Sequence, residues 1–234
     1  MIALLLISIL FLAFDIQEFM QPFISFAHVG DELSAWASYG IFIDGVIEPW
    51  ERDIADSVAY TTTGGTSGVL YVMNDGLNLY IGVVTTDDSL SKDGAGSDAV
   101  MLYFDNDHDG VGPESKDEII GWLGYDSEGF KDGFSDGTYS WRRDIDYGGT
   151  SEGEADATNN GTHNHFEILH PLNTADNAHD FSLLLSNSST VGFALRLTVD
   201  GVSSGWWPSD DASGWRDFVI FTPKLSAWAL RTPL

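Results

Sequence analysis

Cysteine is absent from this chain of 234 residues, and basic residues are scarce, with 10 Lys and Arg against 36 Asp and Glu. The first absence excludes disulfide bonds, zinc sites built from thiolates and catalysis by a thiol. The second leaves a formal net charge of −26, and a surface this negative repels nucleic acids and anionic lipids. We therefore expect no nucleic-acid partner, whereas divalent cations and neutral ligands such as sugars suit the charge.

Motifs of known catalytic sites are absent as well. The chain has no G-x-S-x-G elbow, no Walker signature and no dinucleotide-binding signature, and no paired acid in an apolar setting is evident. The C-x-x-C-H motif of covalent c-type haem cannot occur without cysteine. The sequence therefore predicts a protein that is not an enzyme.

An apolar run, MIALLLISILFLAF, covers residues 1–14 and is shorter than the ~20 residues of a membrane-spanning helix. Three interpretations stay open. The run is a secretory signal peptide cleaved near Ser25 to Ala27, a helix that is retained and packs against other subunits, or a simple membrane anchor. All three place the remainder of the chain outside the membrane. We assign residues 1–40 to this hydrophobic, helical N-terminal segment.

The interpretation as a retained helix rests on a resemblance. An apolar N-terminal helix that carries a β head is similar to the plan of type IV pilins and archaeal filament subunits. Position 5 is Leu5, where bacterial pilins have a glutamate. Polar residues and a proline also interrupt the apolar surface, at Asp15, Glu18 and Pro22. The resemblance implies self-association into a homopolymer.

From residue 41 the sequence consists of short β-branched and aromatic runs between Gly, Asp, Ser and Asn clusters. VLYVMND and LNLYIGVVTTDD flank the turn signal Asp75-Gly76 and predict a hairpin. Further strands are predicted at AVMLYFD, EIIGWLG, HFEILHPL, VGFALRLTVDG and WRDFVIF. The long stretch 126–162 is expected to hide a hairpin around GTYSWRRDIDYGG. We predict a mainly β chain, with an antiparallel β-sandwich of jelly-roll or immunoglobulin-like type over residues 41–222 and a tail over 223–234.

Several of these runs resemble, in the same order, the family-9 carbohydrate-binding modules and their DOMON-like relatives. The shared features are an Ile-Asp-Gly followed by a Trp, an Asp-x-Val strand that ends in Asp, and a Glu before Pro-Leu. In this sequence they are Ile43, Asp44, Gly45 and Trp50; Asp98, Val100 and Asp105; and Glu167, Pro171 and Leu172. The resemblance covers residues 41–221 and implies a β-sandwich that binds a ligand, without specifying which one.

Haem is a separate candidate, because the haem subunit of ethylbenzene dehydrogenase has a related fold with Met and Lys as axial ligands. Met73 and Met101 lie on predicted strands, where core packing explains them as well.

The stretch DNDHDG, residues 105–110, directly follows an apolar strand. The carboxylates of Asp105, Asp107 and Asp109 converge when such a loop curls, and calcium takes roughly six to eight hard oxygen ligands. The shell is completed by the carbonyl of Val111 and by side chains among Glu114, Asp117 and Glu118. Lys116 holds the position at which an EF-hand has its bidentate Glu, so the loop is not an EF-hand. The sequence predicts a structural calcium ion, with a solvated acidic turn as the alternative.

Tryptophans and histidines supply the other candidates. Trp206 and Trp207 precede a predicted strand, and Trp141 lies in the long stretch. Exposed Trp stacks on sugar rings, although packing in the core or at an interface explains the three residues as well. His163 and His165 fall on one face of a strand, with His170 and His179 nearby in sequence. This set either binds zinc or copper or consists of ordinary polar strand residues.

Two sequons, at Asn160 and Asn187, predict a glycosylated exterior surface. Together these features suggest, as the main hypothesis, an extracellular structural subunit of a surface filament or cell envelope with a calcium-stabilised head. The alternative is a secreted carbohydrate-binding module that uses Trp206, Trp207 and Trp141. A haem-binding electron-transfer domain is the third hypothesis.

Overall fold

The computed structural model describes residue 28 and residues 32–37, 40–126, 129–138, 140–176, 178–183 and 190–220. The apolar segment 1–14, the tail 223–234 and the sequon at Asn187 lie outside these residues, so what was predicted for them stays a prediction. Within the described ranges, the structure contains no helix with the length and apolar character needed to cross a membrane.

Two antiparallel β-sheets dominate the described residues. The strands and the α-helix are β1 (Glu32–Leu33), α1 (Pro49–Ile54), β2 (Asp56–Thr61), β3 (Ser67–Asn74), β4 (Asn78–Thr86), β5 (Ala99–Asp105), β6 (Ser115–Leu123), β7 (Phe130–Lys131), β8 (Gly133–Asp136), β9 (Trp141–Arg143), β10 (Glu154–Asn159), β11 (His163–Pro171), β12 (Thr190–Val199), β13 (Val202–Trp207) and β14 (Arg216–Val219).

The larger sheet has the order β1-β14-β12-β5-β6-β8-β9, with β13 paired to β12 and β7 paired to β6. The smaller sheet has the order β10-β11-β4-β3-β2. The pairing of β1 with β14 is parallel, and the other strand pairs are antiparallel. The predicted mainly β sandwich is therefore confirmed.

The core lies between the sheets and follows from the alternation of side chains along each strand. Val100, Leu102 and Phe104 of β5 are fully buried in this core, together with residues of β3, β4 and β11. Burial of each such side chain stabilises the fold by about 1.5–3 kcal/mol. Met101 and Tyr103 alternate with them and belong to a second apolar cluster on the outer face of the larger sheet. Both faces of β5 are therefore covered, which explains its continuous apolar sequence.

Both predicted hairpins are present. In the β3–β4 turn, Gly76 has a φ of 88°, and the Asp75 carboxylate accepts the N–H groups of Leu77 and Asn78 at 2.9 and 2.8 Å. The hairpin hidden in the long stretch is formed by β8 and β9. Both turns are thus predictable from the sequence, because they contain residues that a turn backbone requires.

Glu167 ties the beginning of the domain to the smaller sheet. This residue of β11 is 4% exposed, and its Oε2 atom accepts the N–H groups of Asp44 and Gly45 at 3.0 and 2.8 Å. Gly45 has a φ of 77°, and a side chain there would lie 2.8 Å from the backbone of Ala157. The Ile-Asp-Gly motif therefore forms a tight turn, which a buried carboxylate holds against the sheet.

Replacing Glu167 with Gln tests this anchor through its pH dependence. Burial raises the pKa of Glu167 to about 7, from an ordinary value of 4.5, in spite of the N–H groups that it accepts. A carboxyl with a raised pKa favours the folded state in its protonated form, so this contribution is full below pH 4.5 and is lost as the pH rises to about 7. We expect the wild type to lose unfolding free energy relative to Glu167→Gln across this window, as measured by urea denaturation.

The matched control is Glu154→Gln on β10, whose side chain is exposed. This control should follow the pH dependence of the wild type. If Glu167→Gln also followed it, the buried carboxyl would not be titrating as described.

Candidate functional site

A groove of about 330 Å³ lies on the outer face of the larger sheet, over β5 and β12. Met101 and Arg196 are direct cross-strand partners in its base, beside Tyr103 and Thr198. The other lining residues are Gly94, Ala95, Ser97, Ala99, Leu123, Tyr125, Trp141 and Gly201. The groove thus uses the side chains that alternate with the core residues of the same strands.

Aromatic rings and one guanidinium are packed together beside the groove. The ring of Trp206 lies 4.5 Å from that of Tyr103, measured between centroids, and the two planes are tilted by 56°. The guanidinium carbon of Arg196 lies 5.5 Å from the Trp206 ring centre, and Nη1 donates to the Tyr103 hydroxyl at 3.4 Å. These contacts hold the guanidinium of Arg196 in one position. The two residues that hold it are aromatic, and neither is a carboxylate.

The charge of the groove differs from that of the whole chain. Asp and Glu number 36 in the sequence, yet none is among the residues that line the groove. Arg196 is the charged residue in this set. The groove therefore offers ring faces, hydroxyl groups and one fixed donor, which is a suitable lining for an uncharged polar ligand.

Trp141 is a half-buried part of the groove lining whose position depends on a glycine in the neighbouring strand. Its indole nitrogen lies 2.3 Å from the place where a side chain of Gly133 would begin. The ring can therefore lie close to β8 only because position 133 has no side chain.

The structure separates the three predicted tryptophans. Trp141 lines the groove, and Trp206 contacts Tyr103 and Arg196 beside it. Trp207 is 7% exposed and packs in the core near Tyr60, because adjacent residues of β13 point to opposite faces. Sequence reasoning missed Tyr103 and Arg196. The alternation in AVMLYFD and VGFALRLTV is the signal that places them on the outer face.

One end of the groove is held by a buried carboxylate. Asp98 is fully buried, and it accepts the N–H groups of Ser91 and Asp200 at 2.8 and 2.7 Å. The Asn164 side chain donates to Asp98 at 3.1 Å and to Asp87 at 2.8 Å. These bonds connect β11 of the smaller sheet with the two loops that supply Gly94 and Gly201 to the groove.

The DNDHDG loop brings together Asp105, Asp107 and Asp109, each with an oxygen within 4.8 Å of the others. The carboxylate of Asp105 also accepts the N–H groups of Asp109 and Gly110 at 3.3 and 2.8 Å. The backbone of the loop therefore curls around Asp105. Calcium binding by this loop stays a prediction.

Two histidines reach the same loop, and sequence reasoning did not single them out. His28 places Nε2 3.0 Å from Asp105 and Nδ1 2.8 Å from Asp217, which also contacts His108 at 2.9 Å. Burial lowers the pKa of His28, but its hydrogen bonds to both carboxylates outweigh burial and raise the pKa to about 9. A cationic His28 therefore balances part of the acidic charge at the base of the loop.

The other residues of the predicted calcium shell have different environments. Val111 is 52% exposed, and Glu114 lies on the surface. The buried carboxylate of Asp117 accepts the N–H groups of Asn106 and Glu114 at 3.1 and 2.6 Å. Glu118 points into the interior, where it accepts the N–H of Phe181 at 2.7 Å.

The histidine and methionine candidates do not converge. His165 is buried and contacts Asn160, and the groups of potential metal ligands in the described chain contain neither His163 nor His165. Met73 packs on the smaller sheet against Tyr80, whereas Met101 lies on the outer face of the larger sheet. The sandwich therefore separates the two methionines.

The sequon at Asn160 is exposed in the β10–β11 turn, where Asn160 Oδ1 accepts the Thr162 N–H at 3.1 Å. Glycosylation at this position stays a prediction.

Asp98→Ala should loosen the groove end. The change leaves the N–H groups of Ser91 and Asp200 and the amide of Asn164 without their shared acceptor, so we expect the unfolding free energy to fall by about 3 kcal/mol. Asp93→Ala is the control, because Asp93 is exposed in the same loop and its side chain caps no N–H group. Urea denaturation compares the two variants, and similar small losses in both would contradict the anchoring role of Asp98.

The sequence matches no protein-family model and no curated protein. Among solved structures, the fold is similar to that of a family-9 carbohydrate-binding module from Caldicellulosiruptor kristjanssonii in complex with cellotriose. That alignment has a TM-score of 0.55 at 13% identity and covers 87% of this chain and 99% of the module. A module of this family from the same organism in complex with glucose gives a TM-score of 0.55 at 12% identity, over 84% and 98% of the two chains. The family-9-like β-sandwich predicted from the sequence is confirmed as a fold, whereas the DOMON-like and pilin-like resemblances stay predictions.

Proposed function

We propose that this protein binds a neutral carbohydrate in the groove on the outer face of the larger sheet. The observation that carries the proposal is the lining of the groove, which combines Trp141, Tyr103 and Arg196 and contains no carboxylate, in a chain with a net charge of −26. A sugar ring presents C–H groups on its faces and hydroxyl groups on its rim, and this lining matches both.

Each part of the groove has a distinct role in this proposal. The ring of Trp141 stacks on one sugar face, and such ring contacts contribute about 0.5–1.5 kcal/mol beyond the buried area. The guanidinium of Arg196 donates hydrogen bonds to sugar hydroxyls, and Trp206 keeps it in position by packing against it. Because these side chains lie on regular strands, the groove is largely formed before the ligand arrives.

Binding without hydrolysis is the expected outcome. Glycoside hydrolysis generally uses two carboxylates on either side of the scissile bond. The groove lining in the described residues provides none. We therefore propose a non-enzymatic binding protein.

The two sugar complexes of the family-9 modules support this choice of ligand at the level of the fold. We propose an extracellular location, where a protein that binds polysaccharide meets its ligand. The filament hypothesis and its homopolymer depend on residues 1–14, so they stay predictions. The carbohydrate-binding alternative now has the stronger support.

Replacing Trp141 with Ala should weaken binding of cellotriose by about five- to tenfold, because a ring contact of about 1 kcal/mol is lost. Arg196→Ala should weaken binding similarly by removing the fixed donor. Isothermal titration calorimetry with cellotriose and glucose measures both effects. Trp50→Ala is the matched control, since Trp50 is 39% exposed on α1 and does not line the groove.

Trp50→Ala should bind as the wild type does, and thermal melts should show that all variants are folded. Wild-type affinity in both Trp141→Ala and Arg196→Ala would refute the groove as the sugar site. Loss of affinity in Trp50→Ala alone would place the sugar on the side of the smaller sheet.

A further inference from the structure

Three buried carboxylates meet in the described part of the chain, and none of them lines the groove or belongs to the DNDHDG loop. Asp132 follows β7, Asp144 begins the short turn after β9, and Asp180 lies in the segment before β12. Their exposed fractions are 4%, 0% and 4%. Residues that are distant in sequence are thus brought together in the interior as a group of like charges.

The spacing of this group fits one bound ion. One oxygen of each residue lies within 4.8 Å of the corresponding oxygens of the other two. Calcium binds its oxygens at roughly 2.3–2.6 Å, so two ligands on opposite sides of the ion are separated by about twice that distance. A single cation between the three carboxylates can therefore contact all of them.

Several oxygens of the group have no hydrogen-bond partner although they are buried. They are both oxygens of Asp144, Oδ1 of Asp132 and Oδ1 of Asp180. The remaining oxygens are held by protein donors, since Asp132 Oδ2 accepts the Glu152 N–H at 2.8 Å and Asp180 Oδ2 accepts the Thr174 hydroxyl. These donors fix two of the carboxyl groups, and the carboxyls of Asp144 and Asp180 lie within hydrogen-bonding reach of each other.

The negative charge of the three buried carboxylates has to be neutralised. Burial, together with neighbouring carboxylates, raises the pKa of Asp132 to about 8 and that of Asp144 to about 9. Lys131, next to Asp132, contacts Asp126 at 2.5 Å, and Arg142, two residues before Asp144, contacts Asp136 at 2.6 Å. Arg143, next to Asp144, is exposed. Buried carboxylates of this kind are stable when they are protonated or when they bind a cation.

We propose that Asp132, Asp144 and Asp180 bind a divalent cation, and that the ion is calcium. An all-oxygen set of carboxylates is the donor set that calcium prefers, whereas zinc and copper favour imidazole and thiolate ligands. The site uses none of the residues of the DNDHDG loop, although Asp180 and Asp107 line the same cavity.

A second group of potential metal ligands shares Asp132. Glu118 Oε1 lies 3.1 Å from His170 Nε2, and both atoms are buried without a well-formed hydrogen bond. Burial lowers the pKa of His170 to about 3, so the ring is neutral and does not compensate the carboxylates. Zinc would instead favour a group that contains a histidine, either Glu118, Asp132 and His170 or Asp144, Asp176 and His179. Asp180 belongs to neither of these groups, so Asp180→Asn distinguishes the calcium site from both.

The test compares thermal melts of the full chain after EDTA treatment, with and without saturating CaCl2. Calcium should raise the Tm of the wild type by at least about 5 °C, as expected for a ligand well above its Kd. Asp144→Asn should lose this shift. In EDTA, the same variant should melt at or above the wild-type temperature, because it replaces one of three buried acidic groups with a neutral amide. If Asp144 had only a structural role, the order of the two melting temperatures would not reverse between EDTA and calcium.

Two further variants complete the design. The double variant Asp107→Asn/Asp109→Asn should keep a calcium shift of at least about 5 °C, because it changes only the exposed loop. Asp180→Asn replaces Asp144→Asn if the latter fails to fold, and the same loss is expected.

The proposal is overturned if calcium leaves the wild-type Tm unchanged, or if Asp144→Asn and Asp180→Asn respond to calcium as the wild type does. Loss of the shift in the loop variant alone would assign calcium to DNDHDG instead. Stabilisation by ZnCl2 but not by CaCl2 would assign the ion to one of the two groups that contain a histidine and would refute the all-oxygen site.

Discussion

Carboxylates inside the sandwich must find donors, because an ionised group without partners is costly to bury. Asp98, Glu167 and Asp117 each meet this requirement by accepting two backbone N–H groups from a turn or loop. Asp105 adds an imidazolium to its two N–H donors. The loops are therefore fixed by hydrogen bonds from their backbone N–H groups to buried carboxyl groups. The arrangement of the connections depends on these acceptors as much as the sheets depend on their apolar core.

The same constraint shapes the surface that is left for a ligand. The acidic side chains that accept backbone N–H groups in the interior, and those that lie in the loops, are not on the outer face of β5 and β12. Tyr103 and Arg196 can then form a neutral to weakly basic surface on a strongly acidic protein. Asp98 links the two features directly, because it both satisfies a buried-charge requirement and positions the loops at one end of the groove.

Local patterns in the sequence predicted the sandwich and the hairpins, because strand composition and turn chemistry are properties of neighbouring residues. The assignment of Trp206 and Trp207 to one ligand surface ignored the alternation of side chains along a strand, which sends one ring outward and the other into the core. The pairing of His28 with Asp217 spans 189 positions and has no local signal. Asp132, Asp144 and Asp180 likewise follow no metal-binding spacing, since their proximity results from tertiary packing alone. The DNDHDG motif was predictable because its three aspartates lie within one short stretch of the sequence.

Trp141 is carried by β9, a strand of three residues at the end of the larger sheet that pairs with β8. The strands that build the main core are centred on β5, β12 and the smaller sheet, so the loop between β8 and β9 lies outside that core. A change in this loop would move the indole ring relative to Arg196 and would leave Asp132 and Asp144, which flank the hairpin, in place. Under the proposed function, such a change alters which ligand the groove prefers and retains the same scaffold.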